Sequence, residues 1–179
     1  MIGKLSAGIA GLCLLVGCSM AAPGTRASAA LKEDEDKDGK TIGTATLREQ
    51  SGGVLVLVRV EPKGLTPGLH AVHIPAVGKC DEPAFTSAAG HFNPSGKKHG
   101  FKSAEGAHAG DMPNMLVTKD GSGRFEVLAD GITLRAGPLS VFDTDGSALV
   151  IRVGVDDYLT DPTGNAGDRA ACGLIVASN

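Results

Sequence analysis

Apolar and polar residues alternate along two neighbouring stretches, "TIGTATLRE" from Thr41 and "VLVLVRV" from Val54. Successive side chains of a strand point to opposite faces, so this period predicts two strands, each with one face toward a core. Ser51-Gly52-Gly53 between them is a turn signal, and the pair reads as a β-hairpin. A third strand is expected at 68–74, after Thr66-Pro67, and shorter ones at 115–118, 124–128, 148–152 and 173–176. No stretch keeps the 3.6-residue period of an amphipathic helix over a convincing length. Two segments interrupt the strands. Residues 76–114 are dense in glycine, proline and polar side chains, and residues 154–171 form a second long loop. Irregular segments of that length inside a compact domain are usually functional. The pattern therefore implies an all-β sandwich or Greek-key barrel carrying two long loops.

The first forty residues read differently. Lys4 precedes the apolar run "IAGLCLLVG" at 9–17, which is too short to span a bilayer and reads as a signal peptide over 1–17. The run ends in Leu15-Val16-Gly17-Cys18, which resembles the lipobox of bacterial lipoproteins. On that reading Cys18 is lipidated and begins the mature protein. Ser19 after it resembles lipoproteins sent to the outer membrane of a diderm cell. The alternative is an ordinary secretory signal cut after Ala30. Residues 18–40 are small residues followed by mixed charge, expected to form a flexible, lipid-anchored tether, with the folded domain at 41–179.

Composition narrows the classes further. Abundant glycine (26 residues) with no tryptophan suits short strands and long turns, and a net charge of -3 is too mild to imply a nucleic-acid partner. Cys13 lies in the signal and Cys18 is the anchor, which leaves Cys80 and Cys172 as one pair. Export to an oxidising compartment makes a disulfide between them the default. In the chain-entropy model such a closure contributes about 4 kcal/mol.

His91, His99, His108 and Asp111 all fall in the first long loop. Three imidazoles and a carboxylate suit Zn(II) in a closed tetrahedral site, although solvated loop histidines would give the same count. The surrounding words decide between the two. "GLHAVHIPAVGKC", "SAAGHFNPSGKKHG", "GAHAGDMPNM" and "DDYLTDPTGNAGDRAACGLI" resemble the copper/zinc superoxide dismutases, in that family's order and spacing, from about residue 41 to 176. The resemblance implies an eight-stranded Greek-key β-barrel. It makes His91, His99, His108 and Asp111 the zinc ligands, with His91 bridging to copper in active members. Cys80 and Cys172 match the family disulfide. Arg169 matches the arginine that guides superoxide, Asp156 the carboxylate linking a copper ligand to a zinc ligand, and His70 a structural histidine that binds no metal.

The copper positions depart from the family. His73 matches the first copper-binding histidine of the strand, but Pro75 stands at the second, and Arg152 stands where the fourth ligand ends a strand. Only His73 and His91 remain, and Cu(II) prefers a tetragonal set of nitrogen or oxygen ligands. A guanidinium about 4 Å from a divalent ion is repelled by roughly 8 kcal/mol at an effective dielectric of 20, and by about 2 kcal/mol in bulk water. The expectation is an exported, zinc-binding superoxide dismutase-like protein of the cell envelope, with structural zinc, a degenerate copper site and little or no dismutation. Its role would be structural, metal-binding or partner-binding, with the protein partner unidentified. The alternative is an active enzyme that converts superoxide through an irregular copper site, superoxide being a substrate only if copper binds. Arg152 is expected to face His91 in copper's place, or else to swing outward and leave a water-filled gap.

Overall fold

The computed structural model describes residues 25–34 and 39–178. The signal peptide at 1–17 and the lipidation site Cys18 lie outside the described residues. Ten strands form one sheet: β1 (Arg26–Glu33), β2 (Thr41–Gln50), β3 (Gly53–Val60), β4 (Gly68–His70), β5 (Val72–His73), β6 (Met115–Val117), β7 (Gly123–Ala129), β8 (Ala148–Arg152), β9 (Arg169–Leu174) and β10 (Val176–Ala177). The ladders between these strands are antiparallel, in the order β4-β6-β7-β3-β2-β1-β9-β8-β5, with β10 added to β1. Only Ala71 separates β4 from β5, so the two ends of that order are one bent strand and the sheet closes into a barrel. Counted that way the ring has the eight strands expected, in a Greek-key order, because β3 neighbours β7 rather than β4. A single helical turn, Thr86–Ala88, sits in the first long loop.

Alternation builds the core. Val54, Val56, Val58 and Val60 of β3 point inward beside Ile42, Ala45 and Leu47 of β2 and Phe125 and Ala129 of β7. The hairpin expected at 51–53 is present, its register running from Gln50↔Gly53 to Gly43↔Val60.

The tether reading of 18–40 is corrected by β1. Ala27, Ala29 and Leu31 are buried in the core, and β1 lies between β2 and β9, so the barrel includes residues 26–33. "RASAALKE" does alternate, but alanine contributes little apolar area per residue, so the period is faint beside the neighbouring charges.

β8 is buried along its whole length. Leu149 and Ile151 face the barrel interior, whereas Ala148 and Val150 join Phe85, Ala88 and Cys172 in a second apolar cluster. The first long loop thus lies over the outer face of the barrel and covers β8. Cys80 of the loop is bonded to Cys172 of β9 across 92 residues of sequence, fastening that cover.

Candidate metal centre

The bent strand β4–β5 brings the first site residue, His73, to the loop-covered outer face, opposite Val150 of β8. The chain then runs beside the loop: Pro75 bridges to His91, and His73 to Asp111. Amide bonds from Ile74 to the Gly110 carbonyl (2.9 Å) and from Phe92 to that of Ile74 (2.8 Å) fix this pairing. It places His91 and Asp111 side by side although 20 residues separate them.

His91, His99, His108 and Asp111 converge with all four side chains buried. Asp111 Oδ1 lies 2.8 Å from His91 Nδ1, 3.1 Å from His99 Nδ1 and 3.3 Å from His108 Nδ1, and the last is 3.5 Å from His91 Nδ1. A tetrahedral cation with ligands at about 2.0 Å has edges of about 3.3 Å, so these four atoms can hold one ion among them. Amide hydrogens of Gly100 (2.8 Å) and His108 (3.0 Å) donate to Asp111 Oδ2 and turn Oδ1 toward the imidazoles. His99 Nδ1 makes no hydrogen bond although it lies 3.1 Å from Asp111 Oδ1.

Asp156, on the second long loop, spans the centre. Its Oδ2 accepts from His73 Nε2 at 2.7 Å, and its Oδ1 accepts from His99 Nε2 at 2.9 Å and from the Tyr158 amide at 2.6 Å. Gly164 adopts φ 66°, and a side chain there would collide with the Asp156 carboxylate and the His99 ring, so the loop closes over Asp156 only with glycine. Each bond leaves the other nitrogen free: His99 Nδ1 points into the four-residue cluster, and His73 Nδ1 points away from Asp156 without a partner.

Electrostatics follow the same map. Burial would lower His99, but the Asp111 carboxylate close beside it and the bond to Asp156 outweigh that and raise it to about 9. His91 goes the other way, with burial dominating and lowering it to about 4. Burial opposes ionisation of Asp111 and Asp156, yet the histidine hydrogen bonds hold both well below the usual carboxylate range. His73 is lowered, by burial first.

The two remaining positions hold no lone pair for a metal. Pro75 is buried and has no ligand atom. Arg152 is also buried, and its Nη1 donates to the Gly167 carbonyl at 2.8 Å. No hydrogen bond joins it to His91 or His73, but its charge is near enough to help lower His73, and it does not swing outward into solvent. The second long loop offers it the Gly167 carbonyl and the nearby charges of Asp156 and Asp168. His73 Nδ1 and His91 Nε2, whose rings stack at 3.9 Å, are left without partners.

Arg169 donates to the carbonyls of Phe85 (2.7 Å) and Ala89 (2.6 Å), bracing the Thr86–Ala88 turn above β9. His70 stands apart from the cluster, its ring nitrogens 2.6 Å from the Arg152 carbonyl and 2.8 Å from that of Thr66. Three residues escaped the sequence reading. Tyr158 Oη accepts from the Asn114 amide at 2.7 Å, and Asn114 Oδ1 accepts from the Asp156 amide at 2.9 Å, so the two tie both long loops together. Asp161 Oδ1 accepts from the His99 amide at 2.9 Å. Their only signal is position inside loops already rich in polar residues.

Comparison with known proteins agrees with this geometry. The family model for copper/zinc superoxide dismutase (SODC) matches residues 41–175. The chain is 47% identical over 174 residues to Superoxide dismutase [Cu-Zn] 2 of Aquifex aeolicus (strain VF5), covering 96% of this chain and 98% of that protein. It is 39% identical over 146 residues to the superoxide dismutase-like protein YojM of Bacillus subtilis (strain 168), covering 80% of this chain and 74% of that protein. Among solved structures, a double mutant of a SOD-like protein from Bacillus subtilis superposes with a TM-score of 0.77 at 38% identity, covering 86% of this chain and 98% of that one.

Proposed function

From the premise that the chain belongs to the copper/zinc superoxide dismutase family, we propose that it is an exported, zinc-holding member whose copper position is degenerate and whose superoxide dismutation is weak or absent. One observation carries the reading. Where four imidazoles are needed, only His73 Nδ1 and His91 Nε2 are free, while Pro75 and a buried Arg152 occupy the other two places. That donor set does not fit a Cu(II) ion that must stay bound through both oxidation states.

Zinc is a different matter. Three imidazoles and a carboxylate, spaced as a tetrahedral set, fit it, and with four protein ligands the site is closed and structural. A bound zinc would supply a fixed positive charge joining the halves of the loop between β5 and β6. The protein's own residues do the rest: Asp111 and Asp156 orient the imidazoles, and Asp156 couples the zinc loop to the second long loop. The role that fits is structural, metal-binding or partner-binding in the cell envelope, with Cys18 as the lipid anchor.

A second reading, an active dismutase, is favoured by one observation: Asp156 joins His73 to His99, the link the resemblance implies between a copper ligand and a zinc ligand. The deciding experiment offers both metals to the wild type and to a P75H/R152H variant, then measures bound copper, bound zinc and superoxide turnover on the same samples. The proposal expects about one zinc, little copper and no turnover in the wild type, and copper gained by the variant. Stoichiometric copper with fast turnover in the wild type would overturn it.

A further inference from the structure

The outer face of β1, β2, β3 and β7 carries charge that the fold does not use. Arg26 lies directly opposite Arg48 on β1 and β2, and Arg59 directly opposite Arg124 on β3 and β7. Inward positions of these strands are filled by the core, so the four guanidinium groups, with Lys32, project outward, and all five residues are exposed. Glu126 is the single acid in those outward rows. Like charges directly opposite one another destabilise a sheet, and two such pairs stand on one face of a chain whose net charge is -3. Among the described residues none of the four arginines makes an ion pair; the lysine and arginine pairs are Lys98 with Asp161 and Arg135 with Glu49.

At the second pair, Arg59 and Arg124 together with Thr44, Thr46 and Leu57 line a shallow hollow of about 240 Å³. Two guanidinium groups and two threonine hydroxyls bordering one hollow make a donor set suited to the oxygens of a phosphodiester. The charges are spread over four strands rather than gathered in a groove, which suits an extended anionic surface.

We propose that this face docks on an anionic phospholipid bilayer. Charge complementarity carries the proposal, and its orientation rests on the reading of Cys18 as a lipid anchor. Cys18 precedes Arg26 by eight residues, so the intervening chain reaches about 28 Å at most and delivers Arg26 and Arg48 to the leaflet. The face then fixes how the barrel lies, with the metal centre carried by other strands and loops.

The closed barrel, its core and its disulfide lie within the described residues, so a chain of residues 19–179 without the anchor is the unit to test. Its binding is measured by co-sedimentation with vesicles of equal parts phosphatidylglycerol and phosphatidylcholine, and with phosphatidylcholine alone. Expected are binding to the anionic vesicles only, weakening as salt is raised, and a loss of about 25-fold in R59Q/R124Q, at about fivefold per arginine. R135Q, which removes an exposed arginine elsewhere, should bind as the wild type does, and thermal midpoints report that both variants fold. No binding of the wild type to the anionic vesicles at low salt, equal binding by R59Q/R124Q, or binding to heparin with none to vesicles would each overturn the proposal. Acylation of Cys18, read from the mass of the N-terminal peptide of the full chain, tests the anchor separately.

Discussion

Replacing Asp156 by asparagine removes one charge and one acceptor from the point where the two long loops meet. The carboxylate accepts from His73, His99 and the Tyr158 amide. An asparagine can keep its oxygen on the His99 and Tyr158 side, but its NH₂ then faces His73 Nε2–H, donor against donor. His73 escapes by moving its proton to Nδ1, which takes away one of the two free imidazole nitrogens at the copper position. A lost hydrogen bond to a charged group costs about 1.5–3 kcal/mol. Independently, removing a partner that orients a metal ligand typically costs 10- to 100-fold in affinity, or about 1.4–2.7 kcal/mol. The first cost falls on the fold at His73 and the second on His99, whose acceptor is no longer charged, so D156N should bind zinc 10- to 100-fold more weakly than the wild type. Competition against a chelating dye measures that, and nitrogen NMR of the histidines reads the position of the His73 proton. An affinity within about threefold of the wild type, with the His73 proton still on Nε2, would refute the reasoning.

Zinc binding at pH 7 should release about one proton, because zinc-free His99, at about 9, carries a proton that the metal displaces, while His91, at about 4, does not. The sign follows: His99 stabilises the zinc-free fold fully below its unfolded value of about 6.5 and loses that contribution as pH rises through about 9, so affinity for zinc climbs over that window. Calorimetry in buffers of different ionisation enthalpy checks the count, and no release at pH 7 would contradict it. L31A should cost about 2.7–5 kcal/mol in denaturant unfolding, since Leu31 is fully buried between β2 and β9. A change under 1 kcal/mol would return β1 to the tether.

The strands that fill the barrel were legible because valine and isoleucine alternate strongly in them, as in β3, where every inward position is valine. β1 was not, since alanine marks the period without much apolar area and its charged flank resembled linker. The convergence of His91, His99, His108 and Asp111, which could hold a metal ion, was readable from histidine spacing and motif words together. What spacing could not give was how Arg152 is held. That depends on a backbone carbonyl, Gly167, offered by a loop whose path no local pattern specifies. Asn114 and Tyr158 were invisible for the same reason: their bond spans 44 residues and joins two irregular segments.

The single bent strand at Ala71 has a further consequence. β4 pairs only with β6 and β5 only with β8, so one stretch of chain closes both ends of the sheet. An open sheet of this length would end in two rows of unpaired amides and carbonyls, each a template for a strand from another copy. Here both end strands are only two or three residues long, and the far side of β5 is met by the first long loop at Asp111. The barrel can be concentrated at a surface without offering the edge from which β-aggregation starts.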